Sequence, residues 1–181
     1  MKKNIKIAIA GKSGCGNTTV SKLAADRLGL KFINFTFRSM AEEMGISLKE
    51  ILELAKNDDS IDREVDLRQV QLARESEGCV IGSRLSIWML EEADIKVFLT
   101  AKPETRAARI ADREGGELKE IAAFTAERDR QDNERYKRIY NIDNDNFQFA
   151  DLIIETDDLN PDEIVQLIIN EAEKISGLLL I

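Results

Sequence analysis

The residues that most restrict the fold are IKIAIAGKSGCGNTTVSKLA, positions 5 to 24. Ile5, Ile7 and Ile9, with Ala8 and Ala10 between them, form an apolar run that fits a strand covered on both faces. GKSGCGNTT follows, and Val20, Leu23, Ala24 and Leu28 then recur at helical spacing. Strand, Gly-rich loop and helix, in that order, are the setting of a phosphate-binding loop. Gly11, Gly14 and Gly16 can adopt backbone angles closed to other residues, so successive N–H groups can turn inward around phosphate oxygens. The new helix adds the partial positive charge of its N-terminus.

The pattern G-x-x-x-x-G-K-[ST] fits from Gly11 to Thr18, with one departure: Asn17 stands where lysine belongs. An amide can donate a hydrogen bond but brings no charge to offset the phosphates. Thr18 or Thr19 offers a hydroxyl to a phosphate-bound Mg²⁺. Nucleotide binding is therefore expected from this loop, and catalysis has to be argued from other residues.

At 181 residues the chain suits one domain with a sizeable core. Its net charge of −8 argues against broad electrostatic binding to nucleic acid or to an anionic membrane. No 18-residue apolar run occurs, and the N-terminus already reads as core strand rather than signal peptide. Cys15 and Cys79 are the two cysteines, and histidine is absent, which removes the commonest zinc ligand and the usual general base. A reducing cytoplasm fits this usage. Cys15 reads as a small filler residue rather than a nucleophile.

Further along, KFINF (31 to 35) reads as a second strand, followed by a helix over Phe37 to Met44. SLKEILELAKN opens a further helix at Ser47, with Glu50 three residues on in a capping-box pattern. A charged helix, IDREVDLRQVQLARES, runs towards Gly78. CVIGS, IKVFLTA and ADLIIET are three more apolar strands, and NPDEIVQLIINEAEKI is a closing helix with Pro161 in its first turn. Five strands alternating with helices imply an α/β domain with a parallel sheet. Ligands of such sheets bind beyond the C-terminal strand ends, where the Gly-rich loop, Arg38, Arg84 and the segment after Thr100 all fall. The apolar tail GLLLI suits either docking on the sheet or contact with another chain.

Seven of the thirteen arginines lie between Arg106 and Arg138. Arg106, Arg109 and Arg113 share one helical face, as do Arg128, Asp132 and Arg135. Gly115 and Gly116 between them mark the tip of a helical hairpin. Two solvated helices laced with ion pairs would give the same composition. Beside a phosphate-binding loop, however, arginines supply the bidentate cations that phosphoryl transfer needs, and a mobile lid excludes water. Arg38 and Arg84, just past the second and third strands, suggest a second phosphate site. Asp62 and Arg63 are weaker candidates, better suited to a solvated helix face.

Together these features resemble the nucleoside monophosphate kinases, most closely cytidylate kinases of the archaeal type. The resemblance covers nearly the whole chain. It rests on the loop with a non-lysine residue before TT, on FTFRSMAEEMGISLKE, on IDREVDLRQ and, most specifically, on ERDRQDNERYKRIYNID. It implies a P-loop NTPase fold: a five-stranded parallel sheet flanked by helices, forming a core of residues 1–36, 79–105 and 150–181. A nucleotide-binding insert would span about 37–78 and an arginine-rich lid about 106–140. The implied reaction moves the γ-phosphoryl group of ATP to CMP or dCMP with Mg²⁺.

By position, Gly11, Lys12, Ser13, Gly14, Cys15, Gly16, Asn17, Thr18 and Thr19 would cradle ATP, with Thr18 on Mg²⁺. Arg38, Asp62, Arg63, Arg84, Asp132 and Arg135 would hold the acceptor. Arg109, Arg113 and Arg128 would close on the transferring phosphate, and Lys12 would partly replace the missing lysine charge. A cytoplasmic monomer is implied. Other readings remain open: a kinase for UMP, AMP or another acceptor, a catalytically silent nucleotide-binding module because of Asn17, or an interaction protein using the charged lid.

Overall fold

The computed structural model describes residues 4–55 and 58–178, with side chains through Ile175. Lys56, Asn57 and the side chains of the GLLLI tail lie outside the described residues. The elements are β1 (Lys6–Gly11), α1 (Asn17–Leu28), β2 (Lys31–Ile33), α2 (Phe37–Met44), α3 (Leu48–Ala55), α4 (Asp59–Glu75), β3 (Cys79–Gly82), α5 (Ser86–Met89), β4 (Ile95–Thr100), α6 (Pro103–Glu114), α7 (Leu118–Tyr140), β5 (Leu152–Glu155) and α8 (Pro161–Leu178).

All five strands run parallel in the order β2-β3-β1-β4-β5. Because side chains alternate across a strand, β1 buries its residues in two directions. Ile7 and Ile9, with Val97 and Leu99, pack against Val20 and Ala24 of α1 and Val165 and Ile168 of α8. Ala8 and Ala10, with Ile81 and Phe98, face Val70 and Ala73 of α4 and Ile87 and Leu90 around α5. Both faces are covered, so the strands read as unbroken apolar runs. The phosphate-binding loop leaves the central strand β1, and the loops after β3 and β2, the next two strands on one side, leave the same edge.

Local chemistry sets the element ends. Ser47 and Glu50 form the expected box: the Ser47 N–H donates to the Glu50 carboxylate at 2.7 Å and the Glu50 N–H to the Ser47 hydroxyl at 3.2 Å. α4 starts earlier than its apolar pattern suggests, because Asp58 caps it by accepting from the Ser60 N–H at 2.8 Å. β2 is shorter than the run KFINF. It pairs only with β3, and by Thr36 the chain is capping α2. The four-residue α5 carries no period of its own and was not expected. Gly115 and Gly116, both at positive φ, form the bend between α6 and α7.

Candidate active site

A cleft of about 1360 Å³ opens along the C-terminal edge of the sheet. Gly11 to Gly14 and Gly16 to Val20 form its floor, residues Asn34 to Phe37 and Gly82 to Leu85 one end, and side chains of α4, α6 and α7 its walls. The floor is shaped from outside. Arg106, buried in the first turn of α6, donates to the Ser13 carbonyl at 3.1 Å and pairs with Asp129 of α7 at 2.6 Å. Arg109 donates to the Gly14 carbonyl at 3.4 Å and to the Thr156 hydroxyl at 2.9 Å. Holding these carbonyls outward is one half of turning N–H groups inward. Gly14 is required where the loop crosses α6: its φ is +85°, and a Cβ there would lie 2.8 Å from that of Arg106.

Asn17 turns into the loop rather than out of it. Its amide donates to the Gly11 carbonyl at 2.6 Å, closing the loop end to end, while Oδ1 stays buried without a partner among the described residues. Lys12, expected to lend its charge to the loop, directs its ammonium at Asp145, 2.6 Å away. Cys15 is buried, and burial raises the pKa of its thiol. It is filler, as read, because a protonated buried thiol is a poor nucleophile. Thr18 and Thr19 are exposed to the cleft in the first turn of α1. A cation held mainly by substrate phosphates needs one or two hard oxygen ligands from the protein, and the Thr18 hydroxyl fits that need.

The arginines of the wall fall into groups. Arg84 donates to Asp132 at 2.6 Å and to the Ser13 hydroxyl at 2.9 Å, joining the loop after β3 to both the floor and α7. Arg135 donates to the other Asp132 oxygen at 3.0 Å, and its Nε lies 3.4 Å from Asp62 without forming a hydrogen bond. Asp132 thus bridges two guanidinium groups that both line the cleft. Arg128 makes no hydrogen bond or ion pair among the described residues. Burial, then the nearby charge of Arg84, pull its pKa below the usual arginine value. It still carries its charge, since arginine does not lose its proton in proteins. An exposed cation that lines a cleft and holds no hydrogen-bonded carboxylate is a ready anion site. Arg113 also lines the cleft and is paired only with its neighbour Glu114.

Two expected residues fall elsewhere. Arg38 is exposed on α2 and outside the cleft lining, and Arg63 is exposed on α4 with its guanidinium 5.8 Å from the Tyr140 ring centroid. Several lining residues escaped the sequence reading. They include Thr36, Asp66, Gln69, Phe124 and Gln131. Of these, Asp66 and Gln69 were detectable, because they share the α4 face of Asp62 at i+4 and i+7.

The profile of the cytidylate kinase-like family matches residues 6–158, which include the loop, the bridge and both arginine helices. The chain belongs to that family. Cytidylate kinase 2 of Borreliella burgdorferi is 45% identical over 174 residues, covering 94% of this chain and 96% of the relative. Cytidylate kinase of Archaeoglobus fulgidus is 37% identical over 171 residues, covering 93% and 95%. Among solved structures, shikimate kinase from Bacteroides thetaiotaomicron superposes with a TM-score of 0.65 at 20% identity, covering 93% of this chain and 98% of that one. That likeness shows a shared fold. As a cytidylate kinase-like protein, the chain carries this fold with asparagine in place of the loop lysine.

Proposed function

We propose that the protein transfers the γ-phosphoryl group of ATP to CMP or dCMP, acting as a cytoplasmic monomer with an insert over residues 37–78 and a lid over 106–140. The observation that carries this reading is the Asp132 bridge. It joins Arg84 and Arg135 beside the phosphate-binding floor, Arg84 within hydrogen-bond reach of Ser13, which supports a second phosphate site next to the first. The relatives' names supply the pyrimidine acceptor.

The donor phosphates sit on the N–H groups of Gly11 to Thr19 and the N-terminus of α1. Thr18 would hold Mg²⁺, which when bound neutralises donor charge and aligns the phosphates. The acceptor phosphate displaces Asp132 as the partner of Arg84 and Arg135, since an oxyanion offers the same bidentate match. Arg128, with Arg113 beside it, meets the charge that develops on the transferring group. Arg106 and Arg109 are committed to the loop and Thr156, so they fix the floor rather than travel with the lid. The attacking group is already an anionic phosphate oxygen, so no general base is required and a chain without histidine is adequate.

The test is ADP release from ATP and Mg²⁺ with CMP, dCMP, UMP, AMP and GMP as separate acceptors. Turnover with CMP and dCMP well above the rest is expected. Silence on all five with ATP still bound would replace the kinase by a binding module.

A further inference from the structure

The groups that hold the phosphates leave the base of the acceptor unread. α4 presents Asp62, Val65, Asp66 and Gln69 to the cleft from a single helical face, on the β2–β3 side of the phosphate-binding floor. Gln69 is 5% exposed, and its Oε1 is buried with no hydrogen-bond partner among the described residues. A buried amide oxygen without a donor is unfavourable, and a leucine of similar size would not carry that cost. Stability therefore does not explain a glutamine here, whereas a ligand donor does.

One turn earlier, Asp66 receives the Tyr140 hydroxyl on Oδ2 at 2.7 Å, while Oδ1 accepts no hydrogen bond from the described residues. Gln69 lines this face with its amide, and turning that amide over exchanges the buried oxygen with the nitrogen, so the two side chains can offer two acceptor oxygens on one face of α4. Phe35, Val65 and Leu85, also lining this end, supply apolar walls for a flat ring.

We propose that Asp66 and Gln69 read the acceptor's nucleobase, their two acceptor oxygens receiving the two N–H bonds of the 4-amino group of cytosine. This rests on the kinase reading above and adds the specificity element to it. Uracil presents a carbonyl oxygen at that place, which two acceptors repel. Glutamine alone cannot make the choice, since turning its amide over exchanges acceptor for donor. The Asp66 carboxylate, anchored by Tyr140, fixes the sense. Adenine carries a comparable amino group, so its exclusion falls to the apolar walls and to size.

The experiment measures kcat/KM with CMP and UMP for the wild type and for Asp66→Asn, Gln69→Leu and Gln69→Glu, alongside thermal unfolding. Asp66→Asn introduces a donor and should shrink the CMP:UMP ratio tenfold or more, by loss on CMP and gain on UMP. Gln69→Leu should weaken CMP about tenfold, mainly through KM, with KM for ATP unchanged and no loss of thermal stability. Gln69→Glu keeps an acceptor oxygen and should retain the ratio. Folded Asp66→Asn and Gln69→Leu proteins that keep the wild-type ratio within twofold would overturn the assignment while leaving the kinase intact. Should Asp66→Asn fail to fold, the Gln69 pair decides: equal CMP:UMP ratios in Leu and Glu variants reject it. A wild type inactive on every pyrimidine monophosphate removes both readings.

Discussion

At the scale of single residues, the cleft separates cations that hold the protein together from cations waiting for a ligand. Arg84 and Arg135 share the one carboxylate of Asp132, with Asp62 also beside Arg135, and Lys12 is paired with Asp145. Arg128 is exposed in the cleft and has no such partner among the described residues. Its charge is most useful where new negative charge appears, so Arg128→Ala should lower kcat by about 10²-fold, roughly 3 kcal/mol, at saturating substrates. Steady-state kinetics with CMP and ATP check this, and a change under twofold would remove Arg128 from the chemistry. The sequence made Arg128 a candidate through its spacing from Asp132 and Arg135. It could not show that Arg128 is the cation left unpaired, because pairing depends on which helices pack together. Asn17 was equally opaque. Its amide was legible as a donor, but its acceptor, the Gly11 carbonyl, is fixed by how the loop curls.

At the scale of elements, the strands, their parallel order in a covered sheet and both arginine helices could be read from apolar runs and helical periods. What periodicity left out was the object each helix face meets. Arg106, Arg109 and Arg113 share a face in sequence, yet α6 lies with its first turn against the phosphate-binding loop and its last turn in the open cleft. Arg106 therefore braces the Ser13 carbonyl and Asp129, Arg109 grips Thr156, and Arg113 is left at the opening. Arg106→Ala should remove this brace and leave Asp129 largely buried and unpaired. Losing one member of such a pair costs about 3–5 kcal/mol. Chemical denaturation should register a loss of that order. In protein that still folds, KM for ATP should rise more than KM for CMP, since the loosened element is the donor's floor. Equal changes in both would mean that α6 supports the whole cleft rather than the loop.

At the scale of the whole molecule, α4 is tied to α7 by Asp59 with Arg138, Asp62 with Arg135, and Asp66 with Tyr140, so the two helices share one seam. Asp66 makes this seam sensitive to pH. Burial, which outweighs the Tyr140 hydrogen bond, raises its pKa to about 6, with Asp62 adding to the rise and Arg135 and Arg84 opposing it. The pKa of Asp62 is also raised, chiefly by burial. A carboxyl whose pKa is higher folded than unfolded contributes stability that is fully present below its unfolded value. That contribution is lost as pH climbs through the folded value. The stability that Asp66 contributes should therefore fall as pH rises from about 4 to 7. No histidine titrates in that window, and Glu127 and Asp143, held to about 2 by their partners, add stability only at its acid end, where their unfolded carboxyls still release protons. Asp66→Asn removes the titration, so its unfolding temperature should fall less than that of the wild type over this range. The two should differ most at pH 7 to 8, with the variant the more stable there. Unfolding followed at half-unit pH steps gives the comparison, and parallel wild-type and variant curves would place the titrating group elsewhere. CMP offers an N–H to the ionised carboxylate, so it should stabilise the wild type more at pH 7.5 than at pH 5. In Asp66→Asn that difference should shrink to what the second ionisation of the CMP phosphate contributes, linking base recognition to the seam between α4 and α7.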